Sequence, residues 1–240
     1  MKPREHTNYP GLPGGVVKPG GGHAVKAVLL AFCSFAALIL FSPVLWAQES
    51  RIVARDARGD IYFVSSRYNN RNEYLHISKM GLDGNMVWQG NYDRGTDLKP
   101  VGMVAHSGGL VILAATRAGK ERSFSLIYYS FDNFLLREVI GDTPGAAPVA
   151  LAADKQDNIY VALTVKRANQ ARAELWKYDR NGAFFWSAVY ETLNNAYAQD
   201  VQTLYNGEIT FGVTQSGGPN SFGEYEPLTL TYNAYGSRLR

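Results

Sequence analysis

The chain has 240 residues, 24 lysines and arginines against 21 aspartates and glutamates, a formal net charge of +3 and a single cysteine. So small an excess of charge leaves no electrostatic footprint for nucleic acid or an anionic membrane. One cysteine excludes an internal disulfide framework and any Cys-cluster metal site, while 46% hydrophobic residues supply the material for a packed core.

In chain order, the first 47 residues stand apart. A Pro/Gly-rich stretch over residues 10–22 leads to Lys26, after which residues 27–41 run without a charge until Pro43 breaks the run. Leu45-Trp46-Ala47 then places a small residue before Gln48. Basic start, apolar centre and small-residue exit make a secretory signal peptide, residues 1–47. The alternative is an uncleaved anchor, because residues 27–47 span about 30 Å as a helix. Phe32 before Cys33 is too bulky for lipoprotein processing. Residues 48–240 are therefore expected outside the cytoplasm, in the periplasm or secreted, with membrane contact only through the N-terminal segment. Removing Lys2, Arg4, Lys18, Lys26 and Glu5 takes 24 basic and 21 acidic residues to 20 each. The exported part is neutral, and Cys33 leaves with the leader.

Four short strands follow, over residues 52–55, 60–65, 74–80 and 85–92, with Arg58-Gly59, Asn69-Asn70 and Asp83-Gly84 as turn residues. The pattern is written again at 150–153, 158–164, 174–178 and 183–190. Asp60-Ile61-Tyr62-Phe63-Val64 returns 98 residues later as Asn158-Ile159-Tyr160-Val161-Ala162. Lys79, Gly84, Trp88 and Tyr92 return as Lys177, Gly182, Trp186 and Tyr190. Half the interval is populated too, since Leu110-Val111-Ile112-Leu113 and Asp132-Asn133 stand 49 residues after Ile61 and Asp83. No window carries helical periodicity with caps. A period near 50 with four strands per unit is the mark of a β-propeller blade. Repeats begin near Arg51, Val101, Val149 and Asp200, and the last runs out at Arg240. The expected fold is all-β: a propeller-like array of four roughly 49-residue, four-stranded blades, the last incomplete. A closed ring and an open arc completed by a second copy both satisfy that pattern. The expected core comprises Ile61, Phe63, Trp88, Leu110, Ile112, Ile159, Val161, Trp186, Ile209 and Phe211.

The third repeat, with Asp157-Asn158-Ile159-Tyr160-Val161, Leu175-Trp176-Lys177-Tyr178-Asp179-Arg180-Asn181-Gly182 and then Trp186 and Tyr190, resembles the bacterial SBBP-type β-propeller repeat. The first repeat matches with Met80-Gly81 in place of Tyr-Asp. The resemblance implies an extracytoplasmic propeller of a secreted or cell-surface bacterial protein. That family has no common activity, so no catalytic residue is carried over from it.

Asp56, His106 and Asp154 leave the first strand of successive repeats at equivalent places. Together they could ring a channel mouth and hold a cation, Ca²⁺ for instance, or polarise a water. The competing reading is structural, because an Asp in a turn accepts hydrogen bonds from backbone amides two residues on. Tyr205 near the fourth equivalent position breaks the symmetry. The loops between second and third strands are basic, with Arg67 and Arg71, Arg117, Lys120 and Arg122, and Lys166, Arg167 and Arg172. Nearby Asp93, Asp97, Asp142 and Glu191 bring that face close to neutral, which reads as a solvated rim. Trp88, Trp186, Tyr92 and Tyr190 recur with the period and so read as blade-to-blade packing rather than sugar stacking.

No cofactor is required by any motif. The reading that follows is a non-catalytic binding or scaffolding module of the cell envelope, partnered by an envelope protein or by a second copy of itself. The alternative is a propeller-type hydrolase, glycosidase- or lactonase-like, acting at Asp56, His106 and Asp154.

Overall fold

The computed structural model describes residues 52–118, 121–141, 143–216 and 225–240, with side chains at all of them but Ala118 and Glu121. The leader, Lys120 and Asp142 lie outside the described residues, as does most of the long fourth-repeat loop. Every described element is a strand or a turn.

Among the described residues fifteen strands form four antiparallel sheets, each a meander in chain order. The first holds β1 (Ile52–Arg55), β2 (Ile61–Tyr68), β3 (Glu73–Met80) and β4 (Met86–Tyr92). The second holds β5 (Asp97–His106), β6 (Gly109–Ala118), β7 (Glu121–Tyr129) and β8 (Leu135–Ile140). The third holds β9 (Ala146–Ala153), β10 (Ile159–Arg167), β11 (Gln170–Tyr178) and β12 (Phe184–Val189). The fourth has three described strands, β13 (Ala196–Thr203), β14 (Ile209–Ser216) and β15 (Tyr225–Tyr232). An isolated antiparallel bridge also pairs Tyr232 with Arg238.

The first strands of the sheets stack in succession, β1 on β5, β5 on β9 and β9 on β13, and each also meets the second and third strands of the sheet before it. The outermost strands β4, β8 and β12 splay apart. Sheets that converge on their first strands and diverge at their last are propeller blades, and the fold is a propeller-like array.

Alternation explains the burial. Successive residues of the second strand face the preceding and the following blade in turn, so an interior blade needs apolar residues on both faces. Three core clusters result, one per junction. Tyr62, Val64, Leu75 and Ile77 meet Leu110, Ile112 and Ile127 between the first and second blades. Val111, Leu113, Phe124 and Leu126 meet Ile159, Val161 and Leu163 between the second and third. Tyr160, Ala162 and Leu175 meet Ile209, Phe211 and Leu230 between the third and fourth.

Six of the ten expected core residues are fully buried there, namely Leu110, Ile112, Ile159, Val161, Ile209 and Phe211. Ile61 and Phe63 are only half-buried, because they face away from the second blade and no described strand packs firmly on that side. Tyr62 and Val64 are the first blade's core residues instead.

The recurrent aromatics are straps between blades. Trp88 Nε1 donates to Phe131 O at 2.9 Å and Trp186 Nε1 to Ala234 O at 3.2 Å, each reaching the outer turn of the next blade. Arg137 stands at the same place in the second blade and donates to Asn181 O. Tyr92 and Tyr190 bond to Glu138 and Gln215 of the following blade. Arg94 completes the first strap, with Nη1 2.5 Å from Glu138 Oε1.

The two ends of the array differ. On the fourth blade, Thr210 and Gly212 stand where other blades have Tyr62 and Val64, Val111 and Leu113, or Tyr160 and Ala162. Thr229 and Thr231 pair beside them, so the middle of this outward face is polar, with Tyr197 and Tyr225 packed on each other toward one edge. On the first blade, Val53, Ile61, Phe63, Met80 and Met86 share the opposite outward face, where they form an apolar strip.

Candidate functional site

Antiparallel meanders place the turns after first strands and after third strands at one end of the array. The loops after second strands lie at the other. The candidate residues divide accordingly.

At the first end, Asp56 and Asp154 open five-residue turns closed by backbone bonds from Asp56 N to Asp60 O and Asp154 N to Asn158 O. Asp56 Oδ1 accepts from Arg58 N and Asp60 N at 2.9 and 3.0 Å, and Oδ2 from the Tyr62 hydroxyl at 3.1 Å. Asp154 repeats this with Gln156 N, Asn158 N and the Tyr160 hydroxyl. Lys79 and Lys177 sit over the rings of Tyr62 and Tyr160. Lys79 pairs with Asp60 at 2.8 Å, and Lys177 donates to Ala234 O at 2.9 Å. Burial pushes the Asp56 carboxyl up, but the bonds from Tyr62, Asp60 and Arg58 outweigh it and leave its pKa lowered. Asp, Tyr and Lys thus form a satisfied set in the first and third blades.

His106 does follow its strand at the place of Asp56 and Asp154, since Ala105 pairs with Leu110 as Arg55 does with Ile61. Its turn is one residue shorter, and His106 pairs directly with Gly109. His106 Nδ1 accepts from Gly108 N at 3.2 Å. Burial lowers the imidazole pKa and the Asp157 carboxylate opposes that, with a net lowering. In the fourth blade Leu204, not Tyr205, opens the turn, through Leu204 N to Glu208 O. Tyr205 instead receives Lys155 from the third blade over its ring. Among the described residues no three His, Cys, Asp or Glu side chains converge as a cation site would require.

An expected result follows for the two aspartates. Asp56→Ala and Asp154→Ala each lower stability by about 1–2 kcal/mol, because a turn loses its side-chain acceptor and a tyrosine hydroxyl is orphaned. Thermal melts of both variants, with and without Ca²⁺ or Zn²⁺, check this. Equal losses at all metal concentrations are the expected outcome, and a metal-dependent stabilisation confined to the wild type contradicts it.

At the other end, Arg67, Arg71, Arg117, Arg122, Lys166 and Arg167 are exposed and Arg172 is half-buried. Arg167 lies 3.9 Å from Glu174, and Arg172 donates to Gln170 Oε1. Arg117 and Arg122 line a cleft of about 420 Å³ with Lys99, but Glu73 and Asp97 line it as well. Charges of both signs therefore alternate along this rim, and no uniform basic surface forms among the described residues. His76 bonds to Asn91 Oδ1 at 2.8 Å within its own sheet.

Sequence reasoning grouped Asp56, His106 and Asp154 correctly by position but missed Tyr128 and Arg137. Their signal was a departure: Tyr128 stands 49 residues from both Lys79 and Lys177, and Arg137 stands 49 from both tryptophans.

No family model and no curated protein matches the chain. Among solved structures, the chain is similar to a subtype N10 neuraminidase-like protein of A/little yellow-shouldered bat/Guatemala/060/2010. The identity is 14%, the TM-score 0.47, and the match covers 78% of this chain and 56% of that one. It is also similar to a gluconolactonase from Xanthomonas campestris, at 16% identity and a TM-score of 0.40, over 78% of this chain and 59% of that one. The chain thus spans under two thirds of the length of either structure.

Proposed function

We propose that this chain is an exported, non-catalytic binding or scaffolding module of the cell envelope, joined to its partner through the outward face of its first blade. The observation that carries the reading is the difference between the two ends of the array. The fourth blade closes its outward face with Thr210, Gly212, Thr229 and Thr231. The first blade offers Val53, Ile61, Phe63, Met80 and Met86, with Val53 and Met86 more than half exposed. An apolar sheet surface at one end of the array and a more polar one at the other is what a unit that docks at one end requires. The polar side chains of that face, Arg55 beside Ile61 and His76 beside Asn91, favour packing on the same surface of a second copy, where the apolar strips meet and the polar groups stay at the rim. The hydrolase alternative needs Asp56 and Asp154 free to act, and their oxygens are occupied by turn amides and tyrosine hydroxyls.

Light scattering of the exported protein against concentration tests this. The expected result is a dimer that Phe63→Asp converts to a folded monomer, because a carboxylate facing its symmetry mate in an apolar strip is strongly unfavourable. A wild-type monomer at all concentrations overturns the reading.

A further inference from the structure

The second blade breaks the polar set that the first and third share, at all three positions at once. His106, Val111 and Tyr128 stand for Asp56, Tyr62 and Lys79, and for Asp154, Tyr160 and Lys177. Where the first and third blades satisfy the set, the second leaves His106 Nε2 and the Tyr128 hydroxyl buried without a hydrogen-bond partner, the other such atom among the described residues being Thr96 Oγ1 just before β5.

The direction of the missing bonds follows from local chemistry. His106 Nδ1 accepts the Gly108 amide, so in the neutral ring Nε2 carries the proton and is a donor. Tyr128 is 97% buried, and its hydroxyl is also free to donate. The rings pack edge to face with centroids 6.3 Å apart, which supplies at most a weak N–H···π contact and no acceptor oxygen. Both residues line a cleft of about 290 Å³ between the second and third blades, together with Ser107, Arg137, Arg180 and Asn181. Two orphaned donors on side chains that line one cleft are costly to fold and are characteristic of a ligand's place.

The charges around the cleft narrow the ligand. Arg137 and Arg180 line it, while Asp157 and Asp179 lie close enough to act electrostatically on His106 and Tyr128. Asp157 is already taken up by the Ser107 amide and hydroxyl, and Asp179 Oδ1 by Asn181 N and Ala183 N. These bonds hold both carboxylates to their own turns, and neither forms a hydrogen bond with His106 Nε2 or the Tyr128 hydroxyl. With two cations balanced by two anions, the surroundings suit one negative charge better than two. The volume is at the lower end of small-molecule sites.

We propose that the cleft between the second and third blades binds a small molecule through its carboxylate, with His106 Nε2 and the Tyr128 hydroxyl donating to its oxygens and Arg137 and Arg180 flanking it. The site is separate from the first-blade face and does not depend on whether that face docks a second copy.

The test uses the exported protein, with the ring nitrogens of His106 followed by NMR and identified by comparison with His106→Gln. Sodium acetate and sodium glucuronate are titrated separately, against sodium chloride at matched ionic strength. The expected result is a saturable shift of the His106 ring with at least one carboxylate and not with chloride. Tyr128→Phe weakens that binding about tenfold, as expected for a lost hydrogen bond to a charged group. The same variant melts at or above the wild-type temperature, because it removes a hydroxyl that has no partner in the free protein. No saturable shift with either carboxylate, or an equal shift with chloride, overturns the proposal. So does a Tyr128→Phe variant that melts well below the wild type, which would mean that the hydroxyl serves only the fold.

Discussion

Phe211→Ala is expected to cost about 3–5 kcal/mol and to release the fourth blade before the rest of the array melts. Phe211 is fully buried at the third junction, against Tyr160, Ala162 and Leu175. The fourth blade has one described neighbour, and its other face is lined by Thr210, Gly212 and Thr229. Nothing on that side replaces the apolar contact that the substitution removes. In an array where each unit is held by its neighbours, stability is approximately a sum over junctions, and an end unit depends on a single one. Leu113→Ala, in the second blade, costs a comparable 2–5 kcal/mol but acts on a blade held from both sides. Native-state hydrogen exchange separates the two. In Phe211→Ala the amides of β14 exchange through a local opening while those of β6 and β10 remain protected. In Leu113→Ala protection falls together across all three. Coincident exchange of β14 with β6 in Phe211→Ala would show that the blades unfold as one cooperative body.

The same dependence on neighbours decided what could be read from the sequence. Strand order, turn positions and the blade period were legible because they are local: Gly84, Asn133 and Gly182 recur every 49 residues, and all three adopt the positive φ that ends a tight turn. Interior core positions were legible for the same reason, since Leu110 or Ile159 is apolar in a blade that has neighbours on both sides. Ile61 and Phe63 misled because a strand's apolar pattern records which faces are built to be covered, not which are covered by a described element. The junction straps were half legible. Trp88 and Trp186 announced themselves by recurrence, whereas Arg137 performs the same bond with a different side chain, and identity-based reading passes over it. For Asp56 and Asp154 the sequence left a turn and a cation site open, and the turn amides that their carboxylates accept fit the first.

The candidate ligand site was least legible because it is made of departures. His106 in place of an aspartate and Tyr128 in place of a lysine look like imperfect repetition until both are seen to leave polar atoms unpaired around one cleft. A repeat constrains what every blade must contain. Residues that break it in one blade, at three contacting positions, are free of that common requirement, and they are where specific chemistry can be placed.

Gly109→Ala tests the backbone on which that chemistry rests, and its expected cost is about 3 kcal/mol or more. Gly109 closes the short turn after His106 with φ at +150°, in a region that side-chain-bearing residues rarely enter. A Cβ there would lie 2.0 Å from the Tyr129 carbonyl oxygen, a backbone atom that cannot swing aside. Relief requires β6 to part from β7, the strand that carries Tyr128, and moves the Ser107 bonds to Asp157 that tie the second blade's turn to the third. Gly84→Ala is the matched control. Its φ is +78° and no atom lies within 4 Å of the added Cβ, so only the conformational penalty of about 1–2 kcal/mol applies. Denaturant unfolding of both variants measures the difference. A Gly109→Ala loss no larger than that of Gly84→Ala would mean that the turn rearranges cheaply, and that His106 and Tyr128 are not held in place by the close approach of β6 to Tyr129.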